Sequence, residues 1–145
     1  MWQTAINLFR SLWTYRELSP DLGLRRRVNL RLRSRPRLGF EEWAGTFDLP
    51  PSGHNQRLLR FIYTQLQRGA GLDVGRIRPS DRLIDDLHLP LVCWFDWPSQ
   101  LCDAFFTTFQ RDILEEFDES LLDTVGDLAW FLNQKLRSMD SLSSA

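Results

Sequence analysis

From Asn55 to Arg137 the apolar residues recur at three- and four-residue spacing, in runs separated by breaker-rich segments. Leu58, Leu59, Ile62 and Leu66 share one face of a first helix, roughly Asn55 to Arg68, with Gly69 as its stop. A long loop, Gly69 to Leu87, follows. Leu101, Cys102, Phe105, Phe106 and Phe109 form the stripe of a second helix. It starts near Asp96, which can cap it, with Pro98 in the first turn where a missing N–H is not needed. A short turn or helix is read around Glu116 to Leu122. The last helix opens near Thr124 or Gly126, carries Leu128, Phe131, Leu132 and Leu136 on one face, and closes near Arg137. Helices with a single apolar stripe must bury it against one another, so this pattern predicts an all-α bundle.

The residues before Asn55 are organised differently. Trp2, Ile6, Phe9 and Trp13 predict an amphipathic helix over Trp2 to Leu18, ended by Ser19-Pro20. Seven arginines follow: Arg25, Arg26, Arg27, Arg31, Arg33, Arg35 and Arg37. Val28, Leu30 and Leu32 alternate with polar residues there, and either a short strand or an extended linker fits. Phe40, Trp43 and Phe47 suggest a short helix with an aromatic face. Leu49-Pro50-Pro51-Ser52-Gly53 breaks all regularity. The expected organisation is an N-terminal helical and basic extension over 1–53, a helical bundle over 54–138 and a disordered tail over 139–145.

The formal net charge of -1 hides an asymmetry. Before Pro79 there are fourteen basic residues against six acidic ones, and from Ser80 to Leu128 twelve acidic against two basic. Each half therefore favours partners of opposite sign. Two cysteines, Cys93 and Cys102, form neither a disulfide framework nor a zinc pattern, and read as buried thiols. No apolar run reaches the roughly 20 residues of a membrane span. The apolar N-terminal stretch is interrupted by Asn7 and Arg10 and lacks a preceding basic region, unlike a signal peptide. A cytoplasmic protein is expected. No catalytic constellation is visible: the cysteines lack an identifiable base, and His54 and His88 are isolated. His88 with Asp85 and Asp86 has no metal-site spacing, and Gly69-Ala70-Gly71 is a helix stop rather than a phosphate loop.

Three signatures, in order, resemble the acyl carrier proteins. The loop Ile77-Arg78-Pro79-Ser80-Asp81-Arg82-Leu83-Ile84-Asp85-Asp86-Leu87 resembles the family's loop ending in an acidic pair and leucine. Phe105 to Ile113 resembles the end of its second helix. Thr124-Val125-Gly126-Asp127-Leu128 resembles the opening of its last helix. The resemblance covers a little over half the chain and implies an acyl-carrier-like four-helix bundle. It also implies an acidic face read by the arginines and lysines of a protein partner, a part that Asp103, Asp112, Glu115 and Glu116 can play.

The family's Gly-x-Asp-Ser-Leu motif, whose serine holds a phosphopantetheine arm, is replaced here by Leu87-His88-Leu89-Pro90-Leu91-Val92-Cys93-Trp94-Phe95-Asp96-Trp97-Pro98-Ser99-Gln100-Leu101. Counting forward from Leu87 puts Leu91 at the serine, and counting back from Ile113 puts Phe95 there, so about four apolar residues are inserted. Ser99 is the one serine nearby and the alternative attachment site. The insertion can tuck into the core, pack on Trp2, Trp13 or Trp43, or offer Trp94 and Trp97 to a partner. The reading that follows is a non-enzymatic interaction module with no cofactor and no metal. It docks a protein through an acidic helix and a Trp-rich loop. A divergent carrier modified on Ser99 is one alternative. A peripheral adaptor using the seven arginines on anionic membrane or nucleic acid is another.

Overall fold

The computed structural model describes residues 19–50 and 52–143, with side chains to Ser138. The helix expected over Trp2 to Leu18 lies outside these residues, as do Trp2 and Trp13 as packing partners. The described chain is all-α. It contains α1 (Leu22–Leu32), α2 (Phe40–Gly45), α3 (Gly53–Ala70), α4 (Leu89–Val92), α5 (Trp97–Phe109) and α6 (Val125–Ser143), with 3-10 turns at Val74–Arg76 and Glu119–Leu121. No strand occurs among the described residues; Arg82 and Thr124 form an isolated antiparallel bridge.

The first part of the arginine-rich stretch is a helix rather than a strand: α1 carries Arg25, Arg26, Arg27 and Arg31, whereas Arg33, Arg35 and Arg37 fall in the irregular connection to α2. Asp21 caps α1 by accepting from the Leu24 N–H at 3.0 Å. Leu24, Val28 and Leu32 then fall on one face four residues apart, with Val28 and Leu32 buried. Leu30, the residue that suggested alternation, points outward. The segment also shares its core with the helices that follow, since Val28, Leu32, Trp43, Ala44 and Phe47 join Leu58, Ile62, Phe105 and Leu132 in one apolar cluster. Trp43 is fully buried against the rings of Phe40, Phe47 and Tyr63.

α3 is capped by Ser52, which accepts from the Asn55 N–H at 3.1 Å. It runs past Gly69 and stops at Gly71, whose φ of 63° is the left-handed conformation that suits glycine. Gly69 is an ordinary helical residue. α6 opens on a reciprocal cap in which Thr124 Oγ1 accepts from the Asp127 N–H and Asp127 accepts from the Thr124 N–H, both at 3.0 Å. It continues past Arg137 to Ser143, taking in most of the segment read as a tail. Asp96 stands at the cap of α5 but makes no capping bond. Its carboxylate accepts from the Gln100 side chain at 2.8 Å instead.

The loop between α3 and α4 is clamped on two sides. Toward α6, the N–H groups of Leu83, Val125 and Gly126 bond to the carbonyls of Asp123, Asp81 and Pro79 at 2.8, 3.0 and 2.9 Å. Toward the α1–α2 connection, Leu38 N–H donates to Gly75 O at 2.9 Å. A Cβ on Gly75 would lie 2.6 Å from the Leu38 carbonyl oxygen, so only glycine permits this approach. Arg76 donates to the carbonyls of Arg33 and Arg35 at 2.8 and 2.7 Å, and Arg78 to that of Pro36 at 2.8 Å.

Candidate interaction surface

The segment that replaces the serine motif folds as two helices with a break between them. His88 takes a left-handed conformation, φ 52°, and starts the single turn α4. Cys93 is extended and ends it, and α5 begins at Trp97. Leu89, Val92 and Cys93 are buried, whereas Leu91 is 56% and Phe95 62% exposed. Both residues that counting puts at the serine are thus outward-facing and apolar. Trp94 and Trp97 are half-buried, and Trp97 stacks edge-on with Phe117, which meets Phe131 in turn. Most of the insertion therefore feeds the core, and Trp43 is not among its ring partners.

α1 lies against α4. The Asp21 N–H donates to the Leu91 carbonyl at 2.9 Å, and Arg25 Nη2 to the Val92 carbonyl at 2.7 Å. These carbonyls end a helical turn and have no intrahelical partner, so the start of α1 serves as its C-terminal cap. Ser99 is exposed in the first turn of α5.

The predicted acidic residues do not share one helix. Asp103 is exposed on α5, but that helix ends at Phe109. Asp112, Glu115 and Glu116 fall on the turn beyond it. Asp112 accepts from the Leu114 N–H at 3.1 Å, while Glu116 pairs with Arg111 at 3.2 Å and Lys135 at 3.6 Å. Asp103, Asp112 and Glu115 form no ion pair among the described residues. Exposed Phe106 on α5 and Leu114 beside Glu115 add apolar area that the helical stripes gave no reason to expect on the outside.

Four of the seven arginines are engaged inside the fold. Arg25 holds Val92, Arg31 donates to the Asp86 carbonyl at 3.3 Å, Arg35 pairs with Asp81 and Arg37 with Asp73. Arg26, Arg27 and Arg33 keep exposed side chains with no bonded partner among the described residues. Burial pushes both thiols up to about 11, with the nearby carboxylates of Asp103 and Asp112 adding to the effect at Cys102. Neither is a poised nucleophile at neutral pH. Among the described residues no three His, Cys, Asp or Glu side chains group as a metal site, and no helix is long and apolar enough to cross a membrane. No protein-family model, curated protein or solved structure matches the chain.

Proposed function

We propose that this chain is a non-enzymatic protein-interaction module on an acyl-carrier-like four-helix scaffold that works without a phosphopantetheine arm. The observation that carries the reading is the turn His88–Val92. His88 stands where the resemblance has glycine, and adopts the left-handed backbone that glycine suits. Leu91 stands where it has serine, and offers an alkyl group rather than a hydroxyl. The Leu91 and Val92 carbonyls are held by Asp21 and Arg25. An arm attached there would have to swing from a turn that α1 already holds.

The same region suits docking. Leu91, Phe95, Trp94 and Trp97 supply apolar area at the N-terminal end of α5, Asp103 supplies negative charge along that helix, and Asp112 and Glu115 add more past its C-terminal end. A partner with a basic rim around an apolar pocket complements this surface. A second reading, a carrier modified on Ser99, has the exposure of that residue in its favour.

Intact mass after co-expression with a broad-specificity phosphopantetheinyl transferase separates the two. The unmodified mass is expected. A gain of one phosphopantetheine that Ser99→Ala abolishes overturns the first reading. In a gentle pull-down, a protein captured by the native chain should be lost from the Leu91→Asp/Phe95→Asp variant and weakened by alanine at Asp112, Glu115 and Glu116. Failure to capture any protein, or capture indifferent to both sets, counts against docking here.

A further inference from the structure

A second feature lies at the C-terminal ends of α1 and α3, where they meet the loop Leu72–Arg76. A cleft of about 440 Å³ opens there, within the size range of small-molecule sites. Arg33, Arg37 and Arg76 line it against a single carboxylate, Asp73, leaving two positive charges in excess. Leu72 and Val74 are its apolar members, so the lining does not suit an acyl chain.

The donors differ in how they are held. Asp73 Oδ2 accepts from both Arg37 Nη2 at 2.8 Å and Arg76 Nε at 2.9 Å. Arg76 is further fixed by the Arg33 and Arg35 carbonyls. Asn29 braces the wall by donating to the Gly71 carbonyl at 3.1 Å and accepting from the Asp73 N–H at 2.9 Å. These bonds give the cleft a fixed shape. Arg33, Tyr63 and Gln67 also line it, and their guanidinium, hydroxyl and amide groups bond to no other described residue. Arg37 and Arg76 are held in place by Asp73, and the unspent fork, hydroxyl and amide donors beside them can close on an oxyanion of two or more charges.

We propose that this cleft binds a small phosphate-bearing polyanion, with Arg33 and Arg37 as the charged contacts and Tyr63 and Gln67 as neutral donors. The site shares no lining residue with the docking surface around Leu91.

Titration with inorganic pyrophosphate at fixed ionic strength, followed by backbone amide shifts, tests it. Saturable shifts centred on Asn29, Gln67 and Leu72–Arg76 are expected. Arg33→Ala should weaken binding at least about tenfold, the loss of one charge-assisted hydrogen bond. Because the fold uses the Arg33 carbonyl and not its exposed side chain, this variant should remain folded. Asp73→Asn, which removes the competing carboxylate, should tighten binding. Vesicles carrying phosphatidate separate two sources of the same chemistry. Co-sedimentation lost in Arg33→Ala assigns a headgroup, and pyrophosphate binding without sedimentation assigns a free ligand. Non-saturable shifts, or affinity unchanged in Arg33→Ala, overturn the proposal.

Discussion

Arg35 and Asp81 meet fork to fork, Nη1 to Oδ2 at 2.7 Å and Nη2 to Oδ1 at 2.8 Å, and join the α1–α2 connection to the loop that precedes α4. The two ends are unequal. Asp81 is 4% exposed, whereas the Arg35 side chain retains 38% of its surface. Asp81 also accepts from the Arg78 N–H at 2.8 Å, so one carboxylate organises the loop and anchors it.

That inequality predicts an asymmetric response to mutation. Arg35→Ala strands a buried carboxylate and should cost about 3 kcal/mol. Asp81→Asn keeps an acceptor for Arg78 and lets Arg35 turn to water, and should cost about 1–2 kcal/mol. Urea denaturation of both variants checks the order. Equal or reversed costs would mean that the pair is not the anchor.

Gly71 and Arg25 form a second coupled pair. A Cβ on Gly71 would lie 2.8 Å from Arg25 Cδ, and the backbone there has φ 63°. Gly71→Ala should cost the left-handed strain of about 1–2 kcal/mol, plus the displacement of Arg25 from the Val92 carbonyl. In an Arg25→Ala background only the strain should remain. A double-mutant cycle with no coupling would place Arg25 elsewhere.

Acid should weaken the fold below the usual carboxylate range. Asp73 is held below the ordinary aspartate value chiefly by the hydrogen bond from Arg37, Asp86 by the Arg82 backbone N–H, and Asp118 by Ser120. A carboxyl whose pKa is lower folded than unfolded adds stability that is complete above the ordinary value of 3.8 and lost as pH falls through the folded value. The urea midpoint should therefore hold steady at mildly acidic pH and drop beneath about pH 4. Asp73→Asn should make the drop shallower; an unchanged slope would remove Asp73 from the account.

Both cysteines should resist alkylation. With thiols at about 11 in buried positions, iodoacetamide at pH 8 should label the native chain slowly and the urea-unfolded chain quickly. Rapid native labelling of Cys93 would mean that α4 opens readily.

Trp43 offers a test of core polarity. Its Nε1 is buried and has no partner among the described residues. Trp43→Phe removes that unpaired N–H but leaves a gap, and the two effects oppose each other. The net change in unfolding free energy should stay within about 1 kcal/mol, against about 3–5 kcal/mol for Phe105→Ala, which only empties space.

The stripes of α3 and α6, and that of α5 apart from the outward-facing Phe106, were legible because four-residue spacing of large apolar residues has one helical interpretation. The opening of α6 was legible only as Thr124 or Gly126, and the reciprocal bond with Asp127 is what fixes Thr124 as its cap. α1 was obscured because Val28, Leu30 and Leu32 fit two periods at once. The period that wins is set by Leu24 and by the Asp21 cap, which the arginines around them mask. Gly69 was mistaken for the end of α3 because spacing does not reveal backbone handedness, and Gly71 stands two residues on. Counting could place Leu91 or Phe95 at the serine without separating them. The left-handed turn at His88 and the break at Cys93 arise from the path of the chain. The cleft around Asp73 draws on α1, α3, the α1–α2 connection and the loop, which no local pattern brings together.

The bond from Arg25 to Val92 spans 67 residues of sequence. During synthesis α1 leaves the ribosome long before α4 exists. Its inner face of Leu24, Val28 and Leu32 therefore lacks part of its cover until α4 arrives, although α2 and α3 contribute to the same cluster earlier. An arginine-studded helix with its apolar side open is the kind of surface that chaperones grip and proteases cut. Release from that hazard is timed by the emergence of residues 89–92, so a ribosomal pause shortly before them would prolong it.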